Sequence, residues 1–288
     1  MSKIPQYPDK TLLAVLAHPD DETFGTGGTL ALYARHGVSV HLVCATRGEV
    51  GEISPEYRET IKSASCLRTQ ELRCAAGVLG VDEVYFLNYR DSGMPGSEAN
   101  QHPKALAAQP VEKVAKEVAH LIRKIQPDVV ITFDPIGGYR HPDHIAIHKA
   151  TVQAFDLAAA NNFADPEGLP IFQPEKLYYH LISRAFLKMV SLVLRLIGQD
   201  PRKFGQNKDI DLVALTEVDY PTHVKIDVRS VKAIREEAEK CHASQGGMAM
   251  HKGFRGFVMR LFGGHTENYM QAYPESEDIT RISRDLFD

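Results

Sequence analysis

The stretch LAVLAHPDDETFGTGG, residues 13–28, begins as an apolar strand and ends in a group of charged side chains. Its apolar part belongs to the run TLLAVLA (11–17), which is typical of a strand buried on both faces. The ionisable residues that follow are His18, Asp20, Asp21 and Glu22. Acids held this close together repel one another unless a cation lies among them, so the stretch predicts a cation site at the end of a buried strand.

Strand-like and helix-like segments alternate through the first half of the chain. The helix over 110–126 is the clearest, because its apolar residues recur with a period of about 3.6 and Pro110 suits a first turn. We predict strands at 11–17, 38–46, 83–87 and 128–133, with helices over 26–36, 63–79 and 110–126. Continuous apolar strands that alternate with helices predict an α/β fold with a doubly wound, mostly parallel sheet.

The pattern becomes irregular after about residue 180. A strand at 222–228 and a helix near 230–243 still stand out, and 186–198 is typical of an amphipathic helix packed on a core. Residues 90–110 and 161–175 are typical of loops. We therefore divide the chain into an α/β core over 1–183 and a C-terminal α/β extension over 184–288, which packs on the core and is a candidate lining of the substrate pocket.

The composition is that of a soluble globular protein. The 288 residues are 43% hydrophobic and 24% charged, with a formal net charge of -4. Without a basic excess or an apolar run of about 18 residues, we expect no nucleic-acid partner and no transmembrane segment. The N-terminus shows no secretory signal and the four cysteines form no CxxC pair, which favours a reducing, cytoplasmic location without disulfides. Homo-oligomer formation is left open.

A second group of histidines and acids follows the fourth predicted strand. FDPIGGYRHPDH (133–144) carries His141 and His144, spaced three apart like His18 and Asp21. In open parallel sheets the carboxyl ends of strands share one edge, where ligands bind. Two imidazoles and one carboxylate leave open positions for water, a set that suits catalytic Zn²⁺ and equally non-haem Fe²⁺. The sequence therefore predicts a metal site at this edge.

The chemistry expected of such a site is hydrolysis. A bound metal lowers the pKa of water from about 15.7 towards about 7. A carboxylate that is not a ligand takes the proton of the water, and a nearby histidine supports an oxyanion and protonates a leaving amine. Dinucleotide binding is a weak alternative, because GTGGT (25–29) lacks the GxGxxG spacing.

In these motifs the chain resembles the LmbE-like, PIG-L-type zinc-dependent N-acetylglucosaminyl deacetylases. The matching motifs are AHPDDE (17–22), TRGE (46–49), RTQEL (68–72), RDSGM (90–94) and GGYRHPDH (137–144). HASQ (242–245) and GHTENY (264–269) are similar to the tail of the branch that contains mycothiol deacetylases and mycothiol conjugate amidases. FRGFVMRLFGG (254–264) has no counterpart that we can place. The resemblance implies a Rossmann-like fold with its site at the strand carboxyl ends.

The resemblance also implies roles for individual residues of the two main motifs. The metal ligands of the family fall on His18, Asp21 and His144. Its general base falls on Asp20. His141 corresponds to the histidine that stabilises the oxyanion or acts as the general acid, and the alternative role for His141 is a fourth metal ligand.

Three further residues are candidates for contacts with a substrate. Tyr139 matches a tyrosine that moves towards the substrate carbonyl. Arg68 and Asp91 match sugar-binding positions, and the alternative for Arg68 is an ion pair with a nearby glutamate. We expect structural roles for four other residues close to the motifs, namely Glu22, His148, His242 and His265.

The function expected from the resemblance is that of a zinc-dependent hydrolase, with Fe²⁺ as the alternative metal. It removes the N-acetyl group from a small molecule that contains N-acetylglucosamine, of the kind used in thiol biosynthesis. One alternative is an amidase that cleaves a bulkier glucosaminyl amide or thiol S-conjugate. Another is a non-catalytic carbohydrate-binding protein, against which the intact Asp20 and His141 argue. The expected partner is an amino-sugar substrate.

Overall fold

The centre of the protein is a single β-sheet. The structure is a computed structural model that describes residues 5–51, 53, 63–204, 210–245, 265–276 and 281–288. Its strands are β1 (Thr11–Leu16), β2 (Ser39–Thr46), β3 (Glu83–Tyr89), β4 (Val129–Phe133), β5 (Lys176–Leu181), β6 (Val224–Asp227) and β7 (Thr266–Tyr273). Their order across the sheet is β3-β2-β1-β4-β5-β7-β6. The first five are parallel and β7 is antiparallel to both neighbours, so the prediction of a mostly parallel α/β sheet is confirmed.

Helices connect the parallel strands and cover the sheet. They are α1 (Asp21–Phe24), α2 (Gly27–Arg35), α3 (Ala64–Leu79), α4 (Val111–Ile125), α5 (Gly137–Arg140), α6 (Pro142–Ala159), α7 (Arg184–Leu196), α8 (Leu212–Leu215) and α9 (Lys232–Cys241). α2 and α3 pack together with α9, while α4 packs against α6. The chain winds from β1 outward to β3, then returns to β4 and winds the other way to β5, which places the two helix groups on opposite faces.

The predicted elements begin and end close to the observed ones, because local signals set their bounds. The side chain of Ser63 accepts the N–H of Cys66 and begins α3, and Gly80, at φ 81°, ends it. The helix predicted near 230–243 is divided into a 3₁₀ turn (Arg229–Val231) and α9. The segment predicted as a loop over 90–110 contains two more 3₁₀ turns, Glu98–Gln101 and Leu106–Ala108.

Among the elements longer than four residues, three were not predicted from the sequence: β5, β7 and α6. β5 and β7 carry polar side chains within the sheet, including the buried Glu267 and Asn268, which interrupt the apolar pattern. Tertiary contacts decide these strands. The two carboxylate oxygens of Glu267, for example, accept the N–H groups of Gly28 and Thr29 at 2.9 and 2.8 Å. A strand from the C-terminal part of the chain thus caps the first turn of α2.

Residues after 184 join the same sheet, because β7 pairs with β5 and β6 pairs with β7. α7 and α8 form a small separate apolar cluster from Leu187, Leu194, Leu212 and Leu215. The boundary between a core and an extension at 183/184 stays a prediction. The stretch 254–264, which matched no family motif, lies outside the described residues. Within the described ranges, no helix is both long and apolar enough to cross a lipid bilayer.

The expectation of a chain without disulfides is wrong. Cys74 of α3 and Cys241 of α9 form a disulfide, with their Cα atoms 5.8 Å apart. The two residues lie 167 positions apart in the sequence, so only the packing of α3 on α9 reveals the pair. Cys44 and Cys66 are free thiols, the first buried and the second exposed.

Candidate metal centre and active site

The site lies between β1 and β4, at the point where the winding of the sheet reverses. β1 pairs with β4, so the loops that follow them are neighbours at the same edge. The segment after β1 carries His18 to Glu22 and leads into α1. The segment after β4, 134–144, contains α5 and leads into α6. Such a switch point leaves a crevice beyond the strand ends, because the two connecting segments diverge to opposite faces of the sheet.

Three side chains from these segments converge. Nδ1 of His18 lies 3.2 Å from Nε2 of His144 and 3.4 Å from Oδ2 of Asp21. Nε2 of His144 lies 3.3 Å from Oδ1 of Asp21. Tetrahedral coordination with metal–ligand bonds of about 2.0–2.1 Å separates ligand atoms by about 3.3 Å. The residues therefore fit a four-coordinate metal with one position left for water.

Two other donor sets also lie close together, with all atoms of a set within 4.8 Å of one another. One replaces Asp21 by His141. The other joins His18 to Asp91 and Asp143 through the opposite ring nitrogen, Nε2. Nε2 faces Asp143 Oδ2 at 3.1 Å, and a metal-binding histidine usually donates its second N–H to a carboxylate in this way. We therefore favour Nδ1 of His18 as the metal-facing atom.

Asp143 is a buried residue of this site that the sequence did not indicate. It is fully buried, and its Oδ2 accepts the N–H of Ser92 at 2.8 Å. The hydroxyl of Ser92 donates to its Oδ1. These bonds hold the carboxylate against His18 and fix the orientation of that ring. The available signal was its position directly before His144 in the second motif.

Asp91, predicted to bind sugar, lies close behind His18. Its Oδ1 accepts the N–H of Gly93 at 2.8 Å and lies 3.5 Å from His18 Nε2. Burial raises the pKa of Asp91, but the neighbouring His18 outweighs burial and holds this pKa well below its usual range. The residue is 3% exposed, and its role in sugar binding stays a prediction.

The candidate base Asp20 has an unusual backbone. Its φ of 114° is rare for a residue other than glycine. Its Oδ2 accepts a hydrogen bond of 3.1 Å from Nη2 of Arg68. Burial raises the pKa of Asp20 to about 6, although the guanidinium opposes this rise. A carboxylate with such a pKa is suited to exchange protons near neutral pH.

Arg68 donates to the protein around Asp20. Its Nη2 also donates to the carbonyl of Pro19 at 2.6 Å, and its Nη1 donates to that of Gly48 at 3.2 Å. A Cβ atom at Gly48 would lie 2.1 Å from Nη1, so the glycine makes room for the guanidinium. The alternative for Arg68 was an ion pair with a nearby glutamate. In the structure its ion-pair partner is Asp20 instead. Sugar binding by Arg68 stays a prediction.

His141 precedes α6 and caps it. Its Nδ1 accepts the N–H of Asp143 at 3.2 Å, so a neutral ring carries its proton on Nε2. Burial, and then proximity to His18 and His144, lower the pKa of His141 to about 2. His141 therefore presents a neutral Nε2–H donor beside the three converging donor atoms.

Tyr139 lies in α5, which is strongly kinked. Gly138 and Arg140 on either side of it have φ values of 64° and 69°. The Tyr139 ring is edge-on to His144, with ring centres 5.0 Å apart, and packs against the apolar cluster of α7 and α8. Tyr139 therefore links the second motif to the C-terminal part of the chain.

The four residues expected to be structural differ in their surroundings. Glu22 accepts several hydrogen bonds, and His148 donates from Nδ1 to the carbonyl of Phe133 at 2.8 Å, as expected of a packing residue. His265 is exposed. His242 is fully buried and lies 2.7 Å from Glu22, a contact that no sequence pattern indicated.

Comparison with known proteins shows which family the chain belongs to. A family model described as PIG-L, GlcNAc-PI de-N-acetylase, matches residues 13–155. A 1D-myo-inositol 2-acetamido-2-deoxy-alpha-D-glucopyranoside deacetylase of Salinispora arenicola is 34% identical over 85% of this chain and 79% of its own length. The chain belongs to the PIG-L family. A further PIG-L relative, deacetylase 2 of Catenulispora acidiphila, is 34% identical over 96% of both chains.

Solved structures share the PIG-L fold of this chain. N,N'-diacetylchitobiose deacetylase from Pyrococcus horikoshii has a TM-score of 0.62 and 22% identity, covering 91% of this chain and 83% of the other. 4-Carboxy-2-hydroxymuconate hydratase from Pseudomonas putida has a TM-score of 0.61 and 20% identity, covering 93% and 98%. Since a deacetylase and a hydratase share this fold, the reaction must be argued from the site.

Proposed function

We propose that this PIG-L protein is a zinc-dependent N-deacetylase that acts on an N-acetylglucosamine unit linked to inositol or a similar small polyol. The observation that carries the proposal is the convergence of donor atoms from His18, Asp21 and His144 at 3.2–3.4 Å, with Asp20 next to them in the chain. The substrate class is supported by the names of the relatives, which are GlcNAc-inositol deacetylases.

His18, Asp21 and His144 would hold the metal. When bound, a divalent metal would act as a Lewis acid that polarises the acetamide carbonyl. It would also lower the pKa of water, so that water loses a proton more easily and becomes a nucleophile. The negative charge of the site suits such an ion. Four carboxylates lie around it, and within the described residues Arg68 is the only guanidinium among them. The carboxylates are those of Asp20, Asp21, Asp91 and Asp143.

The protein's own groups handle the protons. Asp20 takes one proton from the attacking water. As the C–N bond breaks, Asp20 returns this proton to the departing nitrogen, and the products are acetate and the free amine. His141 donates its Nε2–H to the carbonyl oxygen as negative charge develops there, which neutral imidazole does without losing its proton. Tyr139 lies beside His144 and approaches the same oxygen from the side of the C-terminal cluster.

Substrate positioning is assigned to Arg68 and Asp91. Asp91 accepts only one backbone N–H through Oδ1 among the described contacts, so Oδ2 is free to accept a sugar hydroxyl. Arg68 brings a positive charge beside Asp20, and its Nε has no protein partner within the described residues. Both side chains lie on the β2–β3 side of the converging donors, where the amino sugar would bind.

The test measures acetate and amine release by zinc-loaded protein. N-acetylglucosaminyl-inositol is the expected substrate, with N-acetylglucosaminyl-malate and diacetylchitobiose as comparisons. Chelation should abolish turnover, Zn²⁺ should restore it, and Fe²⁺ loading tests the alternative metal. Asp20→Asn should lower kcat by about 10²- to 10⁴-fold while the metal stays bound. Undiminished turnover in Asp20→Asn or after complete chelation contradicts the proposal.

A further inference from the structure

A buried pair joins the first motif to the C-terminal part of the chain. Oε1 of Glu22 lies 2.7 Å from Nε2 of His242, 220 residues away. Both side chains are fully buried. A buried carboxylate is costly unless a donor or a counter-charge meets it, and His242 supplies that donor.

Glu22 links His242 to Asp20, because it forms hydrogen bonds with both residues. Its second oxygen, Oε2, accepts the backbone N–H of Asp20 at 2.9 Å. Oε1 also accepts the hydroxyl of Thr23 at 2.6 Å. The carboxylate thus has partners on both oxygens, and its orientation depends on His242 on one side and on the chain around Asp20 on the other.

The backbone of Asp20 needs such support. Its φ of 114° is strained for a residue with a side chain, and such a conformation persists only where neighbouring groups hold it. Two contacts hold the peptide units at this position. Arg68 donates to the carbonyl of Pro19, and Glu22 accepts the N–H of Asp20. The conformation that points the Asp20 carboxylate at Arg68 therefore depends on both partners.

The segment that carries His242 is itself anchored. Both oxygens of Glu71 accept from Ser244, at 2.8 Å from the N–H and 2.7 Å from the hydroxyl. Cys241 is bonded to Cys74. Glu71 and Cys74 lie in α3, the helix that also carries Arg68. One helix thus positions Arg68 directly and His242 indirectly, and both act on Asp20.

We propose that His242, acting through Glu22, is a positioning residue for the general base Asp20. The proposal rests on the deacetylase function proposed above. It assigns to the C-terminal part of the chain a role in the reaction itself, since the base is held in place only when residues 241–245 lie against the first motif. Neither residue touches substrate, so the effect is on the orientation of Asp20.

The test compares His242→Ala and His242→Gln with Tyr33→Phe. Tyr33 is buried and donates to Asp285, away from the site, so Tyr33→Phe reports a loss of stability alone. We expect His242→Ala to lower kcat by about 10- to 100-fold with KM changed less than about 2-fold, because a misplaced base slows the reaction without weakening substrate binding. His242→Gln keeps a side-chain donor and should recover part of kcat. In a Glu22→Gln protein, adding His242→Ala should lower kcat little further.

Two results would overturn the proposal. One is a His242→Ala protein that loses thermal stability as Tyr33→Phe does and keeps its kcat. The other is a crystal structure of His242→Ala in which φ of Asp20 stays near its original positive value. The crystallographic result does not need activity. If wild-type protein hydrolyses none of the substrates, the deacetylase proposal fails, while the structure of the variant still decides whether His242 positions Asp20.

Discussion

Nδ1 of His18 and Nε2 of His144 lie 3.2 Å apart, although 126 residues separate them in the chain. The two rings reach this distance because β1 and β4 are hydrogen-bonded neighbours whose following loops turn towards each other. Two imidazole nitrogens this close, with a carboxylate beside both, form a site for a cation.

Removing one of these rings should remove the metal. We expect His144→Ala to lower bound zinc from about one equivalent to near zero, since two remaining ligands seldom hold the ion. Metal analysis after dialysis measures this loss. His148→Ala is the matched control, because His148 lies four residues further along α6 and bonds to the Phe133 carbonyl. Equal zinc content in both variants would contradict the proposed ligands.

Asp143 should tune the site without touching the metal. In Asp143→Asn the amide still bonds to Ser92 but no longer offers a full negative charge to His18. We expect zinc affinity or kcat to fall by about 10- to 100-fold. Competition with a chelator of known affinity measures the first, and acetate release measures the second. Wild-type values for both would show that His18 needs no carboxylate behind it.

Gly48 should not tolerate a side chain. Its φ is 65°, and a Cβ there would overlap the guanidinium of Arg68. Gly48→Ala should therefore displace Arg68 from Asp20 and lower both stability and kcat. The control is Gly77→Ala in α3, where a Cβ meets nothing within 4 Å. That change should stabilise the protein by about 0.5–1 kcal/mol. Thermal unfolding distinguishes the two, and the same response in both would refute the packing argument.

The Cys74–Cys241 bond should be detectable by thiol counting. Alkylation of unfolded, unreduced protein should label two cysteines, Cys44 and Cys66. Cys74→Ser should lower the free energy of unfolding by up to about 5 kcal/mol, since the bond closes a loop of 167 residues. Denaturant titration measures this change. Labelling of all four cysteines before reduction would show that the bond does not form.

His242 should make stability depend on pH. Burial lowers the pKa of His242, but Glu22, followed by Asp20 and Glu71, outweighs burial and raises it. In the unfolded chain a histidine titrates near about 6.5. The pair therefore contributes its full stabilisation below this pH and loses it as the pH rises through the raised pKa of the folded state.

The stability difference between wild type and His242→Gln isolates this contribution. In metal-free protein we expect the difference to be largest near about pH 6 and to shrink at higher pH. Urea unfolding at several pH values measures it. A difference that grows with pH would have the wrong sign for a protonated His242.

Elements with strong local patterns were predictable from the sequence. β1, β2, β4 and α4 have continuous or periodic apolar residues, and the bounds of α3 follow from Ser63 and Gly80. The two histidine motifs were visible for the same reason, because each is a short contiguous run. Their meeting could be inferred from the rule that parallel strands end at one edge.

The tertiary structure alone decided the pairings between distant residues. Glu22 with His242, Ser244 with Glu71 and Cys74 with Cys241 join segments that lie far apart in the chain. The strand β7 was also decided by tertiary contacts. Its buried Glu267 caps α2, and this polar side chain interrupts the apolar pattern that would have predicted a strand. Sequence patterns indicate which segments form helices or strands and which faces are apolar. A buried polar side chain, in contrast, is stable only beside a hydrogen-bond partner, and the fold determines which residue that partner is.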